Sequence, residues 1–432
     1  MSSHQKVPRR PFGNGNDKLP TSVPIVGLGC SSFSSFFWTR DEQESYGPLT
    51  VQNITKDHPR VQEWIETIHF AVLECGITLL DTAPWYGHGT SEVVIGFAMD
   101  QKLQEIRSTL TINTKVGRYE ADPAHQFDFS YHTTLESIQQ SLQRMQCDYI
   151  DVLQLHDPEF APTMDQLMQE TIPAMMHAQT KGWCKALGMT GYPLEIQYQI
   201  LQRSMQVFGK NIWDQALTYG HYNLHNTRLT TLPLGPHASY AAFCQSQGIQ
   251  LLAAAPLSMG LLTPPVVVQA TGSSTEKDTS EPSFSFPAWH PASAELQRAC
   301  QQASLYCQSH GINIATLAIT FALANPQQIP CTILGCKNVD QVQQAVQIAN
   351  RFHSPLSSSS SLSSAVATTI NVWTDVESQV LTHLLDPESG PFANVWKRNL
   401  HHWDGIGAVF DFWKQVPSVT LDHWQEQARI KD

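Results

Sequence analysis

Residues 77–92 read ITLLDTAPWYGHGTSE, and the rest of the chain is organised around them. A largely apolar run ends in Asp81, a turn begins at once, and Tyr86 follows five residues after that Asp. This pattern predicts a buried strand that delivers both side chains to one end of a sheet. Two other strand-like runs finish in the same way: TLTINTK ends in Lys115 and YIDVLQLH ends in His156. Asp81, Tyr86, Lys115 and His156 therefore converge wherever these three strands point.

Outward from this stretch, strands and helices alternate. Residues 23–29 are expected as a first strand and 61–75 as a helix stopped at Gly76, where a C-terminal glycine belongs. A short helix over 91–99 follows the organising strand, then a strand over 110–115. The helix over 133–145 carries Leu135, Ile138, Leu142 and Met145 on one stripe, and Thr133 with Glu136 has capping-box spacing at its start. The strand over 149–155 is followed by strands at 184–190, 214–219, 249–255 and 329–335. Helices over 164–180, 194–207, 237–247, 294–310 and 339–349 separate or follow them. Strict alternation without sequence repeats indicates parallel strands joined by crossover helices.

Eight such units match the count that closes into a (β/α)8 barrel, an α/β fold. The competing doubly wound open sheet would carry a glycine-rich phosphate loop after its first strand, but VGLGCSSFSS holds only Gly27 and Gly29. In a barrel the active site lies at the C-terminal ends of the strands, where Asp81, Lys115 and His156 all fall.

The 432 residues exceed the roughly 250 of a typical barrel. The expected division is an N-terminal segment (1–22), a barrel (23–350) with an insertion at about 264–290, a serine-rich flexible insert (351–369) and a C-terminal extension (370–432). The extension is aromatic, with Trp396, Trp403, Trp413 and Trp424, and is expected to pack on the barrel. Residues 269–285 and the serine tract 354–364 read as surface loops.

A net charge of −12 without any basic run argues against a nucleic-acid surface. Nine cysteines, an odd number with no C-x-x-C pair, fit reduced thiols in a cytoplasmic protein. Residues 1–20 lack an apolar core of the signal-peptide kind. The apolar stretch 249–268 is broken by Pro256, Pro264 and Pro265, so it reads as a strand and loop rather than a membrane span.

The four convergent groups make a specific chemical set. A tyrosine hydroxyl ionises only near pH 10, roughly. A lysine ammonium beside it stabilises the phenolate, and an aspartate holds the lysine charged and in place. A neutral histidine orients a carbonyl or hemiacetal oxygen by donating a hydrogen bond. Together they move a proton at an oxygen while a hydride moves at its carbon, which implies a nicotinamide. Taken singly each has a plainer reading: an Asp after a strand often caps a turn, a loop Tyr is usually structural, a strand-end Lys is usually solvated, and a His before Asp157 and Pro158 caps a loop. Their joint placement on one barrel face favours the chemical reading.

The motifs DTAPWYGHGTSEVVIG, NTKVGRY, DYIDVLQLHDPEF, KALGMTGYPLEI, LTYGHYNLHNTRL, APLSMGLLT and WHPASAEL resemble the aldo-keto reductase family from residue 24 to about 346. The branch they are most similar to contains the L-galactose and D-arabinose 1-dehydrogenases. The resemblance implies a catalytic tetrad of Asp81, Tyr86, Lys115 and His156. It implies a nicotinamide site at Thr190 and Gly191, with Tyr219 at the end of the sixth barrel strand, where a glutamine is common in the family. It places the pyrophosphate on Ala255, Pro256, Leu257 and Met259, and the adenosine phosphate near Gly335, Cys336, Lys337, Asn338, Gln341 and Gln344. Gln341 stands where the family usually has the arginine that grips the 2′-phosphate of NADP. NAD is therefore the expected cofactor, with NADP the alternative through Lys337.

The mechanism expected from this set is oxidation of an aldose at C1 to its aldonolactone, with Trp85, Tyr119, His156, Trp289 and His290 lining a polar substrate pocket. The expected partner is a small sugar or carbonyl compound, with no nucleic acid and no membrane. An NADPH-dependent aldehyde or ketone reductase uses the same tetrad in the other direction, and a non-catalytic cofactor-binding subunit is a second alternative.

Overall fold

The computed structural model describes residues 5–13, 15, 17–35, 38, 40–120, 122, 125–264, 286, 290–353 and 372–402. The insert at 269–285, the serine tract 354–364, Trp289, Trp403, Trp413 and Trp424 lie outside the described residues. Two short strands come first, β1 (Arg9–Pro11) and β2 (Ser22–Pro24). The barrel follows as β3 (Val26–Gly29), β4 (Leu79–Asp81), β5 (Thr111–Val116), β6 (Ile150–His156), β7 (Cys184–Gly191), β8 (Gln215–Tyr219), β9 (Gln250–Ala254) and β10 (Cys331–Gly335). These eight strands are parallel and close in sequence order, with β10 pairing both β9 and β3.

Register decides what shares the C-terminal mouth. Gly29 pairs with Asp81 and with Gly335, Lys115 with Gln154, His156 with Thr190, and Tyr219 with Ala254. Strands in a closed parallel barrel are covered on both faces, so their sequences run apolar without alternating. β6 is buried at every residue, but its sequence IDVLQLH carries the polar Asp151, Gln154 and His156.

The first strand is shorter than expected, and the N-terminal segment is not separate from it. Residues 22–24 instead pair antiparallel with 9–11, since Pro24 has no N–H to give a barrel ladder. That hairpin carries Phe12, Leu19 and Val23 onto Leu79, Val152, Leu217 and Leu252 inside the barrel. It plugs the N-terminal end and leaves the other mouth for chemistry.

The helices cover the outside. Helix Tyr131–Met145 buries Ile138 and Met145 completely, each worth about 2 kcal/mol over exposure. It begins two residues before the expected start because Ser130, not Thr133, is the N-cap; the Thr133 hydroxyl donates instead to Asp128. Helix Pro59–His69 continues as a π-helical turn over Phe70–Glu74 before Gly76. Helix Ala294–Ser309 is followed by a helix the pattern reading omitted, Ile314–Leu323, whose sequence IATLAITFAL has no polar face to give it a period.

Helices Asp375–Leu384 and Ala393–Lys397 pack on Ala294–Ser309 through Val380, Leu384, Phe392 and Val395. All nine cysteines are free thiols. Among the described residues no helix is long and apolar enough to cross a membrane, and no three His, Cys, Asp or Glu side chains cluster as a metal site.

Candidate active site

Lys115 leaves the end of β5 and is 1 % exposed. Its Nζ donates to Asp81 Oδ2 at 2.8 Å and to the Thr82 carbonyl at 2.6 Å, and lies 4.6 Å from the centre of the Tyr86 ring. The second oxygen of Asp81 accepts from Gln154 Nε2 at 3.0 Å, so the carboxylate is held from both sides. The Tyr86 and His156 rings meet edge to face at 6.2 Å. The four residues predicted to converge do so.

The turn that carries Tyr86 is built by small residues. Gly87 has φ +60°, and a Cβ there would meet Thr90 Oγ1 at 2.1 Å and Ser34 Cβ at 2.6 Å. Ser91 N–H closes the turn on the Tyr86 carbonyl. Glu92, the last residue of the organising stretch, is buried against Arg144, with Nε to Oε2 2.7 Å, and ties its helix to helix Tyr131–Met145.

Electrostatics differ from expectation at one point. Burial pushes the Tyr86 phenol up to about 12, although Lys115 pulls the other way. Burial alone would lower Lys115, but Asp81 and Tyr86 together hold it above its ordinary value, so the ammonium persists. Burial, with Lys115 and Arg118 nearby, drops His156 well below its usual range and keeps the ring neutral. Tyr86 is thus a phenol at rest beside a permanent cation and a neutral imidazole.

A second layer was not visible from motif spacing. Arg118 lies over the Trp85 ring at 4.1 Å and its Nη1 donates to Asp157 Oδ2 at 2.6 Å, bracketing the tetrad between β5 and β6. Glu159 Oε1 accepts from Tyr192 N–H at 3.0 Å. Its Oε2 occupies the space of a side chain at Gly191, where a Cβ would stand 2.6 Å away. His156 Nδ1, Asp157 Oδ1 and Glu159 Oε2 are buried with no hydrogen-bond partner among the described residues. Such orphaned groups cost free energy unless a ligand meets them. The only signal in the sequence was adjacency, HDPE to His156 and VGR to Lys115.

Burial and the neighbouring Asp157 push the Glu159 carboxyl up to about 8. A raised acid pKa binds a proton in the folded state that the unfolded chain has lost, so stability falls as pH rises from about 4.5 to 8. Glu159→Gln keeps the shape and removes the titration. The variant is expected to be the more stable protein above pH 8 by a few kcal/mol, roughly, with the gap closing toward pH 5. Urea unfolding at the two pH values measures this; an equal gap at both would mean that Glu159 does not titrate in that window.

The remaining predicted positions line the rim from β7 to β10. Thr190 and Gly191 end β7, with the Gly191 carbonyl accepting from Gln197 Nε2 at 2.8 Å, and the half-buried Tyr219 ends β8 beside Tyr192. After β9, Ala255, Ser258 and Met259 have φ of +55°, +50° and +52°, left-handed values that cost about 1 kcal/mol apiece in non-glycine residues. Pro256 is buried, while Leu257 is half-buried. After β10, Gly335 is exposed with open space where a Cβ would be, Cys336 is buried, and Lys337 and Gln344 are exposed. Asn338 caps helix Val339–Ala349 by accepting from Gln341 N–H, and the Gln341 amide oxygen accepts from Lys337 N–H at 2.9 Å.

Side-chain-free backbone at Gly335, a helix N-terminus and the Lys337 ammonium fit the phosphates of a dinucleotide. Two residues expected in the pocket make hydrogen bonds within their own loops. The Tyr119 hydroxyl accepts from Gly117 N–H at 2.8 Å and is held there rather than offered to the tetrad. His290 is buried with Nδ1 accepting from Ala292 N–H and Nε2 on the Ser258 carbonyl, so both ring nitrogens serve the loop after β9.

The sequence profile of the aldo/keto reductase family matches residues 52–360. The chain belongs to that family. It is an oxidoreductase with aldose dehydrogenases among its relatives, and its family works with a nicotinamide cofactor. The reductase is 33% identical to L-galactose dehydrogenase of Arabidopsis thaliana over 81% of this chain and 90% of that one. It is 29% identical to D-arabinose 1-dehydrogenase of Saccharomyces cerevisiae over 63% of this chain and 72% of that one. A glycerol dehydrogenase of Gluconobacter oxydans shares the fold at a TM-score of 0.55 and 20% identity, covering 90% of this chain and 97% of its own.

Proposed function

We propose that the reductase oxidises an aldose of the L-galactose or D-arabinose type at C1, giving the aldonolactone, with NAD as the preferred hydride acceptor. The observation that carries this reading is the set of orphaned polar atoms beside the tetrad, His156 Nδ1, Asp157 Oδ1 and Glu159 Oε2. A substrate bearing several hydroxyls satisfies such groups; a simple aliphatic aldehyde does not. The two aldose dehydrogenase relatives support the same substrate class.

When bound, the oxidised nicotinamide supplies the hydride acceptor and brings positive charge to the site. Tyr86 Oη takes the proton of the C1 hydroxyl as C1 gives up its hydride, leaving the lactone carbonyl. The Tyr86 phenolate that accepts this proton forms beforehand by loss of the phenol proton to solvent and returns to the phenol in the step; Lys115 stabilises it, and Asp81 holds Lys115 in place. His156, neutral, donates to the substrate oxygen. With the Tyr86 phenol held at about 12, oxidation should quicken from neutral to alkaline pH.

NAD is favoured because position 341 offers an amide engaged with the Lys337 backbone instead of a guanidinium. The test is reduction of NAD and of NADP by L-galactose, D-arabinose and L-fucose, followed at 340 nm, roughly the absorbance maximum of the reduced nicotinamide ring. Sugar-dependent reduction with kcat/KM higher for NAD is the expected result. NADPH oxidation with simple aldehydes and silence with every sugar would replace this reading with a carbonyl reductase, and silence in both directions with a cofactor-binding subunit.

A further inference from the structure

The loop after β9 is held by groups that belong to neither the barrel strands nor the tetrad. Ser258 sits at its centre with φ +50°. His225, in the loop after β8, places Nε2 2.8 Å from Ser258 Oγ and Nδ1 2.7 Å from the His401 carbonyl. Burial lowers His225 to about 3, so the ring is neutral and carries one N–H. A carbonyl oxygen only accepts, so Nδ1 is the donor and Nε2 must accept from the Ser258 hydroxyl. By the same reasoning His290, whose Nδ1 accepts from Ala292 N–H, donates from Nε2 to the Ser258 carbonyl at 3.0 Å. One histidine grips the side chain of Ser258 and the other its backbone.

His225 is itself tethered. Trp396 Nε1 donates to the His225 carbonyl at 2.7 Å. Phe392, fully buried, lies between the two, 5.9 Å from the His225 ring and 5.8 Å from Trp396. Both tethering residues, with His401, lie beyond residue 360, where the family match ends. A backbone with three left-handed non-glycine residues in five relaxes unless its surroundings over-determine it. Here the over-determination comes from two neutral histidines, one of them anchored to the C-terminal extension.

We propose that residues 372–402 are a strut for cofactor binding: Trp396 and the His401 carbonyl fix His225, and His225 with His290 locks Ser258 so that the Ala255–Met259 backbone stays shaped for the cofactor pyrophosphate. His225, His290 and Trp396 are positioning residues in this scheme and touch no reacting atom. The proposal rests on the reading that this loop binds the nicotinamide cofactor. It adds that the affinity depends on a segment outside the family's matched region.

The test is calorimetric titration of NAD and of NADP into the full-length protein and into His225→Ala, Trp396→Phe and Ser258→Ala, with hydrogen exchange of the peptide spanning residues 255–263. His225→Ala should raise the cofactor Kd about 10-fold or more and Trp396→Phe about 3-fold or more, as expected for the loss of one or two buried hydrogen bonds. Exchange in 255–263 should rise in both, and kcat at saturating cofactor should fall less than the affinity does. Unchanged Kd and exchange in Trp396→Phe and Ser258→Ala would overturn the strut, whether or not His225→Ala folds. Failure of the parent protein to bind either cofactor would instead overturn the cofactor reading on which the strut depends.

Discussion

Tyr86→Phe is expected to lower kcat by about 10³-fold while leaving cofactor affinity within about twofold, since a positioned acid or base contributes roughly 10²–10⁴. The reason is specific to this pocket. The phenol hydroxyl is the titratable oxygen placed beside both the Lys115 ammonium and the His156 ring. Burial beside Lys115 and Arg118 makes His156 too weak a base to hold the proton, and Lys115 is already protonated, so neither takes the proton in its place. The ring remains in Phe, so the packing against His156 and the shape of the turn survive. Steady-state kinetics with the best sugar and a separate cofactor titration make the measurement. A variant retaining more than about a tenth of parental kcat would remove Tyr86 from the proton path.

Lys115→Met should damage both activity and stability. The ammonium is buried with Asp81 Oδ2 and the Thr82 carbonyl as its acceptors, and taking it away leaves the carboxylate with Gln154 Nε2 alone. Breaking one side of a buried ion pair costs about 3–5 kcal/mol. The expected outcome is therefore a stability loss of about 3–5 kcal/mol by urea unfolding, and kcat reduced about 10²-fold or more. Asp81→Asn combined with Lys115→Met separates the two effects. Removing both charges should recover most of the stability and none of the turnover. If the single and double variants were equally unstable, the cost would come from packing around the lysine stem rather than from the stranded charge.

The barrel was readable because closure, handedness and strand-end placement are periodic properties of the chain. Eight apolar runs spaced by amphipathic helices admit few topologies, and the chemistry-bearing residues stood at the C-terminal ends of three of those runs. What the pattern misread follows a common cause. Residues 23–29 look like one strand, but Pro24 divides them between a hairpin and the barrel. Helix Ile314–Leu323 has no polar stripe to set its period, and Ser130 outcompeted Thr133 as a cap because Asp128 claimed the Thr133 hydroxyl. These are outcomes of competition between local options, which a window of sequence cannot rank.

At the candidate site the division is sharper. Sequence by itself determined which residue types reach the mouth: Asp81, Lys115 and His156 from three strand ends, and Tyr86 from the turn after the first of them. Only the tertiary structure decided that burial outweighs Lys115 in setting the Tyr86 phenol, since desolvation depends on everything packed around the hydroxyl. It alone paired Arg118 with Asp157, set Glu159 Oε2 beside Gly191 with no partner among the described residues, and joined Trp396 to Ser258 through His225. Those contacts span 39 residues in one case and 171 in another. No periodicity links positions so far apart; they meet because a closed barrel gathers its loops at one end and a C-terminal segment is packed against two of them.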